Sequence, residues 1–132
     1  MEDLLRAASG ARENAYAPYS GFRVGASIRT DDNRIFSGCN VENAAYPQGI
    51  CAEGAAITAM VSAGARDIRE VLIIGSGPEI CSPCGGCRQK INEFADADTV
   101  IHMCNEEGDM KSVTLAELMP FAFGPNNLEA AE

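Results

Sequence analysis

A short cysteine motif, Pro83-Cys84-Gly85-Gly86-Cys87, constrains the fold more than any other stretch of this sequence. Ser82 is a suitable N-cap and Pro83 suits the first helical position, so the sequence predicts that a helix begins here. Cys84 and Cys87 then lie at positions i and i+3 on one face of the first turn, where free N–H groups favour thiolates. Because two thiolates do not complete a metal site, the fold must bring a further ligand to this helix terminus.

The best candidate for the third ligand is Cys51, in the segment Cys51-Ala52-Glu53 at the start of another helix-like run. Three thiolates with one open position match the tetrahedral catalytic mode of zinc, which lowers the pKa of a bound water. Glu53 would lie beside the metal and could accept a proton from that water. It could instead be a solvated acid in an early helical turn. The pattern predicts a zinc site with a general base at two helix N-termini.

Other interpretations of the cysteines remain open. Cys81, Cys84 and Cys87 are evenly spaced as in an iron–sulfur motif, but the fourth Cys-Pro expected further on is missing. A thioredoxin-like pair would leave Cys51 and Glu53 unexplained. The serious alternative is a structural zinc ion with four cysteine ligands, Cys51 and Cys81 among them. Such a closed site needs no neighbouring Glu.

Composition limits the class of protein. A length of 132 residues predicts a single domain over residues 1–132. A formal charge of −9 opposes binding to nucleic acid and favours small molecules as substrates. The chain has no run of 18 apolar residues, so no membrane span is expected. The acidic start Met1-Glu2-Asp3 lacks a signal-peptide core, which predicts a cytoplasmic protein with reduced thiols.

Apolar periodicity and turn residues predict a chain of alternating helices and strands. Helices are predicted at residues 3–15, 51–63, 84–95 and 114–119, and strands at residues 22–30, 34–39, 70–75, 99–104 and 111–113. This order predicts an α/β fold, one mixed sheet covered by helices on both faces, with both metal segments at its carboxyl end. Cys39, Cys104 and His102 are predicted to be ordinary strand residues, and residues 125–132 a polar tail that frays.

Taken together, these residues resemble the small, tetrameric type of cytidine deaminase over nearly the whole chain. The matching stretches are Tyr16-Ala17-Pro18-Tyr19-Ser20, Phe22-Arg23-Val24-Gly25-Ala26, Gly38-Cys39-Asn40-Val41-Glu42-Asn43, Tyr46-Pro47, Gly49-Ile50-Cys51-Ala52-Glu53, Pro83-Cys84-Gly85-Gly86-Cys87-Arg88-Gln89 and Leu118-Met119-Pro120. A Cys, a Glu two residues on and a later Pro-Cys-x-x-Cys is also the general pattern of zinc deaminases. The resemblance implies a three-layer α/β/α fold with a mixed five-stranded sheet. It also implies hydrolysis of cytidine and 2′-deoxycytidine to uridine and 2′-deoxyuridine, with release of ammonia in pyrimidine salvage.

The resemblance implies roles for single residues as well. One Zn²⁺ per chain would be held by Cys51, Cys84 and Cys87, with Glu53 as the proton shuttle. Nucleoside contacts are implied for Phe22, Asn40, Glu42, Ala52 and, from a neighbouring subunit of a homotetramer, Phe123. Asn40 and Glu42 alternate in an extended segment and so point to the same side, where they could bind the ribose. Tyr46 resembles a residue that contacts another subunit.

One position departs from the family pattern. Many members with three zinc-binding cysteines carry an Arg directly after the catalytic Glu, where this chain has Gly54. Three thiolates leave Zn²⁺ with a net negative charge, and Arg88 is predicted to supply most of the side-chain neutralisation. Two other functions stay open: a deaminase of a nucleoside analogue such as blasticidin S, and a non-catalytic, metal-stabilised binding protein. Asn40, Glu42 and Glu53 argue against the second, because a scaffold needs none of them.

Overall fold

A mixed five-stranded sheet forms the centre of the fold in the computed structural model, which describes residues 1–129. The strands are β1 (Gly25–Thr30), β2 (Ile35–Cys39), β3 (Ile68–Ile74), β4 (Val100–Cys104) and β5 (Met110–Thr114). Their order across the sheet is β2-β1-β3-β4-β5. β3 and β4 are parallel, and the other neighbours are antiparallel. The predicted mixed five-stranded sheet is confirmed.

Helices cover both faces of this sheet. They are α1 (Glu2–Glu13), α2 (Ala52–Ser62), α3 (Gly85–Phe94), α4 (Leu115–Leu118) and α5 (Pro125–Glu129). Strand residues alternate between the two faces. Ile28 and Ile73 face the larger core, which includes Met60 of α2 and Ile91 of α3. Leu72 faces a second cluster with Leu4 and Ala8 of α1. The fold therefore has the predicted three α/β/α layers.

Several predicted boundaries differ from the observed ones. The helix predicted to begin at Pro83 begins at Gly85, with Cys84 as its N-cap. The first strand, predicted from residue 22, begins at Gly25 because side-chain hydrogen bonds hold the preceding residues. The predicted capping box of Thr114 and Glu117 is confirmed at α4. Residues 125–129 form α5 instead of a frayed tail, and residues 130–132 lie outside the described part.

Short contacts bring the functional segments together. Val41 pairs with both Tyr16 and Ile50 in isolated bridges, so the segment after β2 lies between the loop after α1 and the start of α2. Gly38 of β2 allows α2 to approach closely, because a Cβ there would lie 2.6 Å from the backbone nitrogen of Ala56. No helix within residues 1–129 has the length and apolar character needed to cross a bilayer. The single domain over residues 1–132 stays a prediction.

Candidate active site

Two helix N-termini carry the three cysteines that were singled out from the sequence. Cys51 is the N-cap of α2 and Cys84 is the N-cap of α3, and both have extended backbone angles. Cys87 lies in the first turn of α3 and is buried. The Cys51 Sγ accepts a hydrogen bond from the N–H of Gly54 at 3.3 Å, as an N-cap side chain does. The positive ends of two helices therefore point at the sulfur atoms.

Two of the three sulfur atoms, those of Cys51 and Cys87, form one cluster with the carboxylate of Glu53, and Cys84 lies outside this cluster. Cys87 Sγ lies 2.8 Å from Cys51 Sγ, and ligand atoms of Cys51, Cys87 and Glu53 all lie within 4.8 Å of one another. Cys84 is exposed and lines the same cleft, of about 470 Å³, as Cys51 and Cys87. The hydrogen bond that Cys87 donates lowers the pKa of Cys51 to about 5 and raises the pKa of Cys87 itself. Only one thiol of this pair ionises readily while they share a proton.

This donor set fits zinc. Three thiol groups line one cleft, and the helix N-termini favour the thiolate form that zinc binds. A bound metal takes the place of the proton between Cys51 and Cys87, since metal binding deprotonates its thiol ligands. Glu53 is close to the cluster but need not bind, which leaves one coordination position for a water or substrate. The assignment of Cys51, Cys84 and Cys87 as the ligands stays a prediction.

Cys81 lies apart from the cleft that the other three cysteines share. Its Cβ and Sγ pack against the Cα of Gly75, where a Cβ would lie 2.8 and 2.9 Å away. The ring of Phe22 contacts the same glycine. Burial raises the pKa of Cys81 to about 11. These contacts argue against the alternative of a structural zinc ion with four cysteine ligands.

Glu53 is a buried carboxylic acid at the second position of α2. Only 5% of it is exposed, and it belongs to the small set of buried polar residues in the described chain. Burial raises the pKa of Glu53 above its ordinary value. Desolvation favours the neutral form of such a group, which makes it a better proton donor at neutral pH. Its position beside the sulfur cluster is the one that a general acid–base requires.

The predicted ribose-binding residues hold the loop that carries Phe22. Asn40 Oδ1 accepts from the N–H of Val24 at 2.9 Å, and its Nδ2 donates to the Phe22 carbonyl at 2.9 Å. The Glu42 carboxylate accepts from the N–H of Tyr19 at 2.9 Å and from both donors of Ser20. These bonds, with the Ser20 hydroxyl foremost, lower the pKa of Glu42. Asn40 and Glu42 therefore have a loop-positioning role that the sequence analysis missed.

Glu42 also lines a second cleft next to the sulfur cluster. This cleft, of about 370 Å³, is bordered by Tyr19, Tyr46 and Gly49, and Gly49 lines the cysteine cleft as well. The rings of Tyr19 and Tyr46 meet edge to face, with centroids 6.1 Å apart. The two clefts are therefore neighbours, one beside Glu42 and one beside the cysteines.

Ala52, Phe123 and Tyr46 are the remaining residues for which substrate or subunit contacts were predicted. Ala52 is buried at the first position of α2, where backbone N–H groups have no partner within the helix. Phe123 is 56% exposed, and its carbonyl accepts from Gln89 and Asn92 of α3. The ring of Phe123 is thus presented outward on an anchored backbone. Tyr46 is also exposed, at 77%.

The two cations of α3 near the cysteines take different positions. Arg88 donates to the carbonyls of Pro83 and Leu118 and to the Ser82 hydroxyl, so its described bonds go to no sulfur atom. Lys90, which the sequence analysis did not single out, lines the cysteine cleft. Its spacing could have indicated this position, because Lys90 lies three residues after Cys87 and so on the same face of α3, while position 54 is a glycine. Neutralisation by Arg88 stays a prediction, and these contacts favour Lys90 for that role.

Comparisons with known proteins agree with this arrangement. Residues 1–103 match the family described as the cytidine and deoxycytidylate deaminase zinc-binding region. A cytidine deaminase from Sporosarcina psychrophila is 40% identical over 99% of this chain and 96% of its own length. A crystal structure of cytidine deaminase from Burkholderia pseudomallei has a TM-score of 0.87 at 40% identity, covering 92% of this chain and 98% of that one. The enzyme from Mycobacterium tuberculosis has a TM-score of 0.81 at 35% identity, covering 93% and 96%.

Proposed function

Because the chain belongs to the zinc-dependent cytidine and deoxycytidylate deaminase family, we propose that it hydrolyses cytidine and 2′-deoxycytidine to the uridine nucleosides, releasing ammonia. The observation that carries the proposal is the cluster of Cys51, Cys87 and buried Glu53 at two helix N-termini. A binding protein stabilised by zinc would have no use for a buried carboxylic acid beside its metal. A role in pyrimidine salvage follows from the same substrates.

Each of the clustered residues has a distinct task in this reaction. Cys51, Cys84 and Cys87 would hold the zinc ion in the cleft that they line together. Zinc, when bound, acts as a Lewis acid that lowers the pKa of a water molecule. Glu53 takes the first proton of the water and donates it to N3 of the pyrimidine, and it then takes the remaining hydroxyl proton at C4 and donates it to the leaving amine. The C4–N bond breaks, a C4–O bond forms, and one carboxyl group carries every proton transfer.

Residues around the two clefts position the nucleoside. Phe22 would pack against the base, and the free N–H of Ala52 would donate a hydrogen bond to it. Asn40 and Glu42 would bind the ribose with hydrogen-bonding groups that their loop contacts do not use. Asn40 Nδ2 has a second N–H to donate, and the Glu42 carboxylate oxygens can accept further hydrogen bonds. The cleft beside Glu42 is the place for the sugar.

We also propose a homotetramer with active sites at subunit interfaces. Large exposed aromatic residues support it, because subunit contacts would remove their apolar surface from water. They include Tyr16, Tyr19, Phe22, Tyr46, Phe121 and Phe123. The ring of Phe123 would close a neighbouring subunit's site. A cytoplasmic location is proposed from the six unpaired cysteines, three of which must stay reduced to bind zinc.

Ultraviolet spectroscopy of cytidine incubated with the zinc-loaded protein tests the proposed function directly. We expect conversion to uridine, and a Glu53→Gln variant that keeps zinc but loses about 10²–10⁴-fold in kcat, the usual worth of general acid–base catalysis. Glu93→Gln, an exposed glutamate on α3, is the matched control and should behave as wild type. Failure of zinc-loaded protein to convert either nucleoside contradicts the proposal, and blasticidin S is then the substrate to try.

A further inference from the structure

Gly54 leaves the Cys51 sulfur uncovered on the side facing α3. A Cβ at position 54 would lie 3.1 Å from Cys51 Sγ, and 3.7 and 3.8 Å from the Cδ and Cε of Lys90. The aliphatic stem of Lys90 therefore lies over Gly54, in the space that a side chain at position 54 would enter. Helix α3 supplies a long cation at the place where α2 has no side chain at all.

The charged end of Lys90 reaches the N-terminus of its own helix. A Cβ at Gly86, one turn earlier, would lie 3.9 Å from Lys90 Nζ and 4.0 Å from Cys84 Sγ. Lys90 also lines the same cleft as Cys51, Cys84 and Cys87. Within residues 1–129, no carboxylate forms a salt bridge with this ammonium group. Its charge is thus available to the sulfur atoms of both helices.

We propose that Lys90 is a positioning residue of the zinc centre, whose ammonium group offsets the negative charge of the three thiolates and so strengthens zinc binding. The inference rests on the proposed function only in taking Cys51, Cys84 and Cys87 as ligands. Zinc with three thiolates carries a net negative charge, and groups that contact metal ligands typically change metal affinity about 10–100-fold. Lys90 is suited to this role because an ammonium on a flexible stem acts as a point charge that needs no fixed geometry.

Gly54 and Lys90 act as a complementary pair. A Cβ at position 54 would already be in van der Waals contact with the Lys90 stem, so a long side chain there would compete with Lys90 for the space beside Cys51 Sγ. The positive charge at the sulfur atoms can come from α2 or from α3, and this chain supplies it from α3.

The test is zinc affinity, measured by competition with a chromophoric chelator in the absence of nucleoside. Lys90→Met removes the charge and keeps the stem, and we expect its affinity to fall about tenfold, the lower end for groups that contact ligands. Lys90→Arg should keep most of the affinity. Gly54→Arg combined with Lys90→Ala, which removes the stem as well as the charge, should bind zinc more tightly than Lys90→Ala alone, because the charge returns from the other helix. Lys111, the second of the two lysines in the sequence, lies on β5, and Lys111→Met is the matched control with no expected effect.

Several outcomes would overturn the proposal. They are an unchanged affinity in Lys90→Met, an equal loss in Lys111→Met, a Lys90→Arg protein as weak as Lys90→Met, or no recovery in the double variant. The second of these would mean that only net charge matters, and the last two would mean that the charge is not what Lys90 supplies. These readings need no turnover. If zinc affinity depends on Lys90 but the wild-type protein converts no cytidine, the proposed function is refuted and this inference stands.

Discussion

Asn40 offers a test that separates loop positioning from ribose binding. The Asn40→Ala substitution removes the acceptor of the Val24 N–H and the donor to the Phe22 carbonyl, both at 2.9 Å. The first bond is partly buried and the second is exposed. Leaving a buried N–H unpaired costs about 1–3 kcal/mol, and an exposed bond contributes about 0.5–1.5 kcal/mol at most because water replaces it. We expect the free energy of unfolding to fall by about 2 kcal/mol.

Urea denaturation of the zinc-loaded variants at one chain concentration measures this loss. Asn43→Ala is the matched control, because Asn43 Oδ1 accepts only an exposed local bond from the N–H of Ala45. We expect it to lose well under 1 kcal/mol, as surface substitutions do. Equal stabilities of Asn40→Ala and wild type would refute the view that Asn40 holds the loop.

Kinetics then reveal the ribose contact. A lost hydrogen bond to the sugar lowers kcat/KM for cytidine by up to about tenfold beyond the loss for free cytosine, which has no sugar to bind. Free cytosine is expected to be a poor substrate throughout. Because it has no sugar, its loss in kcat/KM reports only the effect of a displaced Phe22, which impairs both substrates. Equal losses on the two substrates would restrict Asn40 to the loop.

Three further predictions concern the metal, the subunits and pH. Metal analysis should find zinc retained in Cys81→Ala and lost in Cys84→Ala, because Cys84 lines the cysteine cleft and Cys81 does not; the reverse result refutes the ligand assignment. Mixing Phe123→Ala chains with Glu53→Gln chains should restore some activity if Phe123 acts in a neighbouring subunit, and proven subunit exchange without rescue argues against it. Hydrogen bonds from His102 and Arg29 outweigh burial and lower the pKa of Glu70, so its stabilising effect is present at neutral pH and is lost as pH falls below about 4. Urea denaturation should show the difference between wild type and Glu70→Gln shrinking between pH 7 and pH 3, and a constant difference would refute the linkage.

The cysteine motif predicted the chemistry of the site better than its local geometry. Ser82 and Pro83 are the usual signals of a helix start, yet α3 begins after Cys84. The Pro83 carbonyl instead accepts from Arg88 Nε at 2.8 Å, which holds Pro83 outside the helix. Cys51 likewise takes the N-cap position of α2. Capping preferences count Ser, Thr, Asp and Asn, and so they do not identify a thiol in this role.

Long-range contacts explain what the sequence could not predict. The sequence predicted ribose contacts for Asn40 and Glu42 but not their hydrogen bonds to the loop of residues 19–24. Those bonds could not be predicted, because the fold brings the two segments together. Such side-chain bonds compete with strand pairing, which is why β1 begins at Gly25 instead of residue 22. The position of Lys90 beside Gly54 was not predicted for the same reason, because the two residues belong to different helices. His102 is a buried strand histidine, as predicted, and only the fold reveals its partners Ser112 and Glu70.

The geometry of the centre follows from how closely α2 approaches the sheet. A Cβ at Gly38 would lie 2.6 Å from the Ala56 nitrogen and 2.9 Å from the Ala52 carbonyl, so only glycine allows this contact with the first turns of α2. β2 ends one residue later, at Cys39, and the chain continues directly into Asn40. The same glycine thereby sets the distance from the segment with Asn40 and Glu42 to the helix terminus with Cys51 and Glu53. A larger residue at position 38 would push α2 away from β2 and would separate the two groups of residues for which substrate contacts are proposed.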